Sequence, residues 1–336
     1  MAKSITIKDI AREAGVSIAL VSFVMNNRVG PDGKQKYRVS PATRERILEV
    51  ARRMSYKPSN AARMLRQGRS RVIGVILPDM GTTFFGAIAK ELEDQAILHG
   101  YTLLFGNTEE DPDRFAHLLQ SFMEKDVEGF ILVPAPGSAA SMEQFMTQNF
   151  PFVVVDRYYE GHNVPSVITD NAGAMHMALE ELKRQGARKI EMVSAPLAIS
   201  SLMDREKAFR EEQGPRAHIY RLPFGRETAG AEEVADEILA KGTDGLVAVS
   251  NVQGVAIIKA LFKKGVHIQR DVKLVCFDYS NVYSLFDPPI PYIQQPLQQM
   301  ASEAAQYLFR LIEDRQHGEA RQPVLERITL EASLLK

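Results

Sequence analysis

"DIAREAGVSIALVSFVMN", residues 9–26, reads as two short helices on either side of a glycine. Thr6-x-x-Asp9 has the form of a capping box, and Ile7, Ile10, Ala11 and Ala14 follow at helical spacing. Gly15 ends that helix, and Ser17 is placed to cap the next, whose inward face would be Val21 and Val24. Ile18, Ala19 and Phe23 then fall on the outer side, where a solvated helix has no use for them. Two helices joined by a tight glycine turn make a helix-turn-helix, and its second helix lies in the major groove of DNA. In that setting Ile18 and Ala19 face base edges, where apolar side chains can meet thymine methyls. Phe23 either does the same, covers the backbone, or packs inside a three-helix bundle. Ser17, Ser22, Asn26 and Arg28 suit phosphate contacts.

Charge supports the same partner. The net charge is −1, but residues 1–71 carry sixteen Lys or Arg against five Asp or Glu, and the remainder carries 25 against 37. A basic head on an acidic body attracts a polyanion at one end and keeps the rest clear of it. Downstream of the polar loop "NNRVGPDGKQKYRV", Ser40 followed by Pro41 is an N-cap with proline at N1, opening a third helix through "ATRERILEVARRM". A short helix, "SNAARMLRQG", is expected after Pro58.

From Val72 onward strand-sized apolar runs alternate with amphipathic stretches: "VIGVILP" then "FGAIAKELEDQAILHG", "GFILVP" then "SMEQFMTQN", "GLVAVS" then "VQGVAIIKALFKKG". This βα alternation over more than 200 residues predicts parallel sheets wrapped by helices, and the length suggests two of them. In open sheets of this kind ligands sit outside the carboxyl ends of the strands.

Several classes are disfavoured. There is no G-x-x-x-x-G-K-[ST], H-E-x-x-H or G-x-S-x-G, and the seven histidines show no metal spacing, so neither an enzyme nor a metal or other cofactor is expected. Cys276 stands alone inside an apolar strand and reads as a small buried hydrophobe. No apolar run approaches the ~18 residues of a membrane helix, and the N-terminus lacks the apolar core of an export signal, so a cytoplasmic protein is expected.

"TIKDIAREAGVSIALVSFVMN", with "VSPATRERILEVARRMSYKPSNAARMLRQGRSRVIGVILPD" after it, resembles the LacI/GalR family of bacterial transcription regulators over nearly the whole chain. The resemblance implies an N-terminal all-α helix-turn-helix domain (1–58) and a hinge helix (59–70). It also implies a two-lobe α/β effector domain (71–336) like the periplasmic sugar-binding proteins. The first lobe would hold about 71–168 and 297–324, the second about 169–296 and 325–336. It implies a homodimer on a pseudo-palindromic operator, with Leu65 of the hinge helix wedged into the minor groove beside Ala62. The DNA-facing set is then Thr6, Ser17, Ile18, Ala19, Ser22, Phe23, Asn26, Arg28, Lys36, Asn60, Ala62, Arg63 and Leu65. Three departures bear on the operator. Leu20 and Phe23 replace the usual Thr and Arg, and the longer loop to Val39 adds Lys34, Lys36 and Arg38, as phosphate contacts or merely as solvated residues.

In the effector domain the resemblance places Phe84 and Phe85 beside the ligand, and Asp156 as a hydroxyl acceptor with Arg157 close by. Asp278 and Gln295 do similar polar work from the second lobe. Met203 stands where the family often has a sugar-binding arginine, Arg205 fits a second arginine, and Ser250-Asn251 replaces an Asn-Asp pair. The expectation is a repressor whose operator affinity is set by a carbohydrate-like effector, with coupling that runs both ways. The rivals are an architectural DNA binder without an effector, for which Met203 and Ser250 would mark a decayed pocket, and a small-ligand-binding protein on the same scaffold.

Overall fold

A computed structural model describes residues 5–25, 39–56, 68–215, 217–223, 225, 227–317 and 326–336. It divides into two compact units, Met1–Ser70 and Arg71–Lys336.

The first unit contains three helices, α1 (Ile7–Ala14), α2 (Ile18–Met25) and α3 (Pro41–Arg53). The Thr6 N–H and hydroxyl both donate to the Asp9 carboxylate, at 2.9 and 2.7 Å, fixing the start of α1. Gly15 ends it in the left-handed region at φ 61°, where a side chain would be strained, and returns its N–H to the Ala11 and Arg12 carbonyls. Ser17 Oγ accepts the Leu20 N–H at 3.2 Å, and Ser40 Oγ accepts that of Thr43 at 3.2 Å. Ile10, Ala14, Val21, Val24, Ile47 and Val50 close the core between the helices.

The second unit is built from two six-stranded sheets with the same internal topology. The first has β1 (Val72–Leu77), β2 (Thr102–Asn107), β3 (Gly129–Leu132), β4 (Phe152–Val155), β5 (Ser166–Thr169) and β11 (Arg327–Leu330), in the order β11-β5-β4-β3-β1-β2, all parallel. The second has β6 (Ile190–Ser194), β7 (Ile219–Arg221), β8 (Gly245–Ala248), β9 (Lys273–Phe277), β10 (Tyr292–Gln294) and β12 (Ser333–Leu335), in the order β12-β10-β9-β8-β6-β7, with only β12 antiparallel.

Helices cover both faces of each sheet, which is why the strands read as continuous apolar runs rather than as alternation. In the first lobe α4 (Thr83–Leu98) and α11 (Leu297–His317) pack on the side chains of Ile73, Val75 and Leu77, while α5 (Pro112–Met123) and α6 (Ala139–Thr147) pack on that of Ile76. The second lobe has α7 (Asn171–Arg184) and α8 (Ser200–Gln213) on one face, and α9 (Glu227–Lys241) and α10 (Asn251–Lys263) on the other.

The chain passes between the lobes three times: from β5 to α7, from β10 to α11, and from β11 to β12. This corrects the expected lobe boundary at 325. Arg327–Leu330 pairs with Ser166–Thr169 in the first sheet, and only Ser333–Leu335 joins the second. "RITLEASLL" holds two short strands with a two-residue crossing between them, and an alternating pattern does not say to which sheet either belongs.

Candidate functional site

In the first unit α2 presents two of its apolar residues to solvent. Ile18 is 48% exposed and Ala19 is exposed beside it, as are Thr6 and Ser17, while Ser22 is half-buried. Phe23 is a correction. It is 4% exposed and belongs to the core with Val21 and Val24, so its ring is unavailable to a base. At 3.6 residues per turn Phe23 lies about 140° round the helix from Ile18, at the margin of the inward face, where a long ring can fold under. Asn26, Arg28, Lys34, Lys36, Arg38, Asn60, Ala62, Arg63 and Leu65 lie outside the described residues.

In the second unit the carboxyl ends of the strands of both lobes meet at one cavity of about 100 Å³. Phe84, Phe85, Asp156, Arg157, Arg205, Ser250, Asn251, Asp278 and Gln295 all line it. The two lobes supply equivalent carboxylates. Asp156 follows β4 at φ 68° and Asp278 follows β9 at φ 65°, each the residue after the fourth strand of its lobe. Asp is one of the few residues that tolerate this conformation, at a cost of order 1 kcal/mol, and it turns each side chain off the sheet end.

Both carboxyls are almost wholly buried. Burial raises the pKa of Asp156 against the pull of Arg157 and Arg205. Burial likewise pushes Asp278 up to about 6, although Arg205 and a 2.8 Å hydrogen bond from Gln295 Nε2 hold it down. Gln295 is itself oriented by the Thr169 hydroxyl, which donates to its Oε1 at 2.7 Å. Arg205 is 3% exposed. It donates to Asn171 Oδ1 at 2.7 Å and the Val249 carbonyl at 2.6 Å, with its guanidinium 4.1 Å over the Phe277 ring. Arg157 is clamped by Glu110 through both terminal nitrogens, at 2.7 and 2.6 Å, and by the Pro134 carbonyl at 2.8 Å. Its Nε lies 3.4 Å from Asp156 without forming a hydrogen bond. Arg157 is thus ion-paired with Glu110, whereas Arg205 and Asp278 are satisfied by neutral partners and influence each other only through space. Among the described residues no group of His, Cys, Asp and Glu could hold a metal ion, and no helix is long and apolar enough to cross a membrane.

Comparison with known proteins places this geometry. The family described as "Bacterial regulatory proteins, lacI family" matches residues 6–59, and the "Periplasmic binding protein domain" matches 73–286. The ribose operon repressor of Bacillus subtilis (strain 168) is 30% identical over 314 residues, spanning 91% of each chain. This chain belongs to the LacI family. The transcriptional regulator PtxS of Pseudomonas putida is 33% identical, covering 90% of this chain and 88% of that one. The lac repressor dimer, solved bound to operator and the anti-inducer ONPF, shares the fold at a TM-score of 0.80 over 99% of this chain and 98% of that one, with 20% identity. The protein is a DNA-binding repressor under the control of a small-molecule effector, not an enzyme.

Two expected effector residues behave differently in this LacI-family repressor. Met203 does not line the cavity. It is 48% exposed and faces a neighbouring recess, because residues two apart on a helix point about 200° apart and Arg205 takes the inward direction. Asn251 lines the cavity, but its amide bridges the lobes, donating to Thr83 Oγ1 at 2.7 Å and the Tyr279 carbonyl at 3.1 Å. Ser250 caps α10 through the Val252 and Gln253 N–H groups. Sequence reasoning missed Glu110 and Asn171, which orient the two arginines. Glu110 follows Glu109 in a turn where both adopt positive φ, and nothing in "TEEDP" distinguishes the inward carboxylate from the outward one.

The raised pKa of Asp278 has a stability consequence. Between its ordinary value near 4 and about 6 the folded protein binds more protons than the unfolded chain, so this residue's contribution falls as pH rises through that window. Asp278→Asn is therefore expected to stabilise the effector-free repressor by about 1–2 kcal/mol at pH 7–8, with the gap closing by pH 4. Thermal melts across that range check this. A wild type more stable than the variant at pH 8 would refute it.

Proposed function

We propose that the effector is a neutral, polyhydroxylated, carbohydrate-like molecule held between Asp156 and Asp278. The carrying observation is that each lobe aims one buried carboxylate into the same cavity from a left-handed residue at the end of its fourth strand. A carboxylate accepts from two or more hydroxyls, and Phe84 and Phe85 offer apolar surface for the C–H faces of a ring. Two of the relatives are named ribose operon repressors, which supports this class. A pocket without a ligand would keep two costly buried carboxylates for nothing, which weighs against an effector-free architectural protein.

In the N-terminal unit, Ile18 and Ala19 are the residues we assign to base edges, with Ser17 and Ser22 toward phosphates and Thr6 engaged in capping. Asn26, Arg28, Lys36, Asn60, Ala62, Arg63 and Leu65 remain in the proposed DNA-facing set on the family resemblance alone. We assign the homodimer contact to α4, where Ile97 and Leu98 are exposed, rather than to α5, which has no exposed large apolar side chain. The protein works in the cytoplasm, where its operator is.

Thermal denaturation against pentoses, hexoses, sugar acids and unrelated metabolites tests the effector class. A sugar at a hundred times its dissociation constant should raise stability by about 2.7 kcal/mol. Stabilisation by unrelated metabolites alone, or by nothing in the panel, would overturn the carbohydrate class.

A further inference from the structure

The chain enters the first sheet through Arg71, and that residue is gripped from several sides. Its carbonyl accepts the Thr102 N–H of β2 at 2.9 Å, just as the Val72 carbonyl accepts the Glu128 N–H at 2.8 Å. Its own N–H turns to a side chain instead. Arg71 adopts φ 57°, in the left-handed region, and its N–H donates to Glu128 Oε1 at 2.7 Å. The other oxygen of that carboxylate accepts the Tyr101 hydroxyl at 3.2 Å. The Arg71 guanidinium lies 5.1 Å from the centre of the Tyr101 ring, with Nη1 3.5 Å from the His99 carbonyl. Behind it, the Tyr101 and His99 rings both stack on Phe309 of α11, at 5.2 and 4.2 Å.

A left-handed arginine is costly, and the sheet does not ask for it, because an extended residue would serve as well before a strand. Glu128 offsets that cost with a charge-assisted hydrogen bond to the backbone of Arg71. The consequence is directional. A positive φ swings the preceding chain away from the axis of β1, and the carboxylate holds that turn in place. The division between the two units falls at this same residue, so the DNA-binding head is tethered to the effector domain through it. A dimer presents two heads to two half-sites, and the gain from the second head depends on how narrowly its tether confines it. A tether that swings freely at its root spreads each head over more space and weakens that gain.

We propose that Glu128 is a positioning residue for operator recognition: by gripping Arg71 where the chain leaves the first sheet, it fixes the direction in which the tether to each head sets out. It touches no DNA. Its effect reaches the operator through Arg71 and the linker, and it is independent of what fills the effector cavity.

The test uses the full-length protein, with one duplex enriched by the wild type from a random-sequence pool and one scrambled duplex of the same length. Glu128→Ala removes a negative charge, so charge alone would tighten binding to both. The grip predicts the opposite for the enriched duplex: a loss of about tenfold, the order of one hydrogen bond to a charged group, with the scrambled duplex bound no more weakly than before. Glu128→Gln keeps an acceptor for the Arg71 N–H and should regain most of the loss. Arg71→Gly suits a positive φ and should melt no lower than the wild type, yet it frees the root and should also lose affinity for the enriched duplex alone. Should Glu128→Ala melt early, Arg71→Gly decides the matter. Enriched-duplex binding by Glu128→Ala that equals or exceeds the wild type would overturn the proposal. So would an equal loss on both duplexes. A salt slope that falls by about one in Arg71→Gly would overturn it too, by making Arg71 a phosphate contact.

Discussion

Arg205→Leu is expected to abolish the effector response and to lower the stability of the two-lobe unit by about 3–5 kcal/mol, the range expected when one partner leaves a buried charge network. Arg205 is the cation nearest in influence to Asp278 and also acts on Asp156. Without it Asp278 retains only the Gln295 amide, so its ionised form becomes still more costly. Asn171 Oδ1 and the Val249 carbonyl lose their buried donor at the same time. The charge component of the loss should therefore be largest at pH 8 and smaller at pH 5, where Asp278 takes up a proton. Melting curves of both proteins at the two pH values, with and without a stabilising sugar, measure this. A deficit of equal size at both would mean that Arg205 acts through its packing on Phe277 and its hydrogen bonds to Asn171 and Val249, and the electrostatic account of the cleft would fail.

The second large effect is at the head. Ile18→Glu places a carboxylate at the exposed start of α2 and should weaken operator binding about a hundredfold or more, since each head forfeits a base contact worth roughly 1–3 kcal/mol and gains repulsion from phosphates. The head should stay folded, because Ile18 contributes nothing to its core. Phe23→Ala should do the reverse. Emptying a ring-sized space in so small a core costs about 3–5 kcal/mol and melts the head, so DNA binding falls only because the structure does. Gel-shift titrations paired with helix content by circular dichroism separate the two. Normal operator affinity in a folded Ile18→Glu protein would end the assignment of that residue to the groove.

These variants also show where the sequence was legible. Gly15, Ser17 and the Ser40-Pro41 pair have local meanings, because a left-handed turn and a helix cap are set by the residue itself, and the structure uses them as expected. The strand runs from "VIGVIL" to "KLVCF" were equally plain, because a parallel sheet buried on both faces leaves no other use for six apolar residues in succession. Phe23 was not legible. "IALVSFVM" is apolar almost all round, so periodicity picked out Val21 and Val24 but could not set how far the buried face extends. Met203 was assigned by resemblance to a position whose direction depends on helix phase, and phase is settled by what packs beneath α8. Glu110, Asn171 and the Asn251 bridge arise from meetings between residues far apart in the chain, for which no short pattern exists.

The three passages between the lobes have a consequence for the life of the protein in the cell. The last forty residues donate a helix and an edge strand to the first lobe and an edge strand to the second. A ribosome that stops short of Leu297 therefore releases neither lobe in finished form, since each still lacks a piece encoded beyond that point. Chains terminated there should be cleared by proteolysis rather than persist as half-repressors, and a gene interrupted there should behave like one deleted.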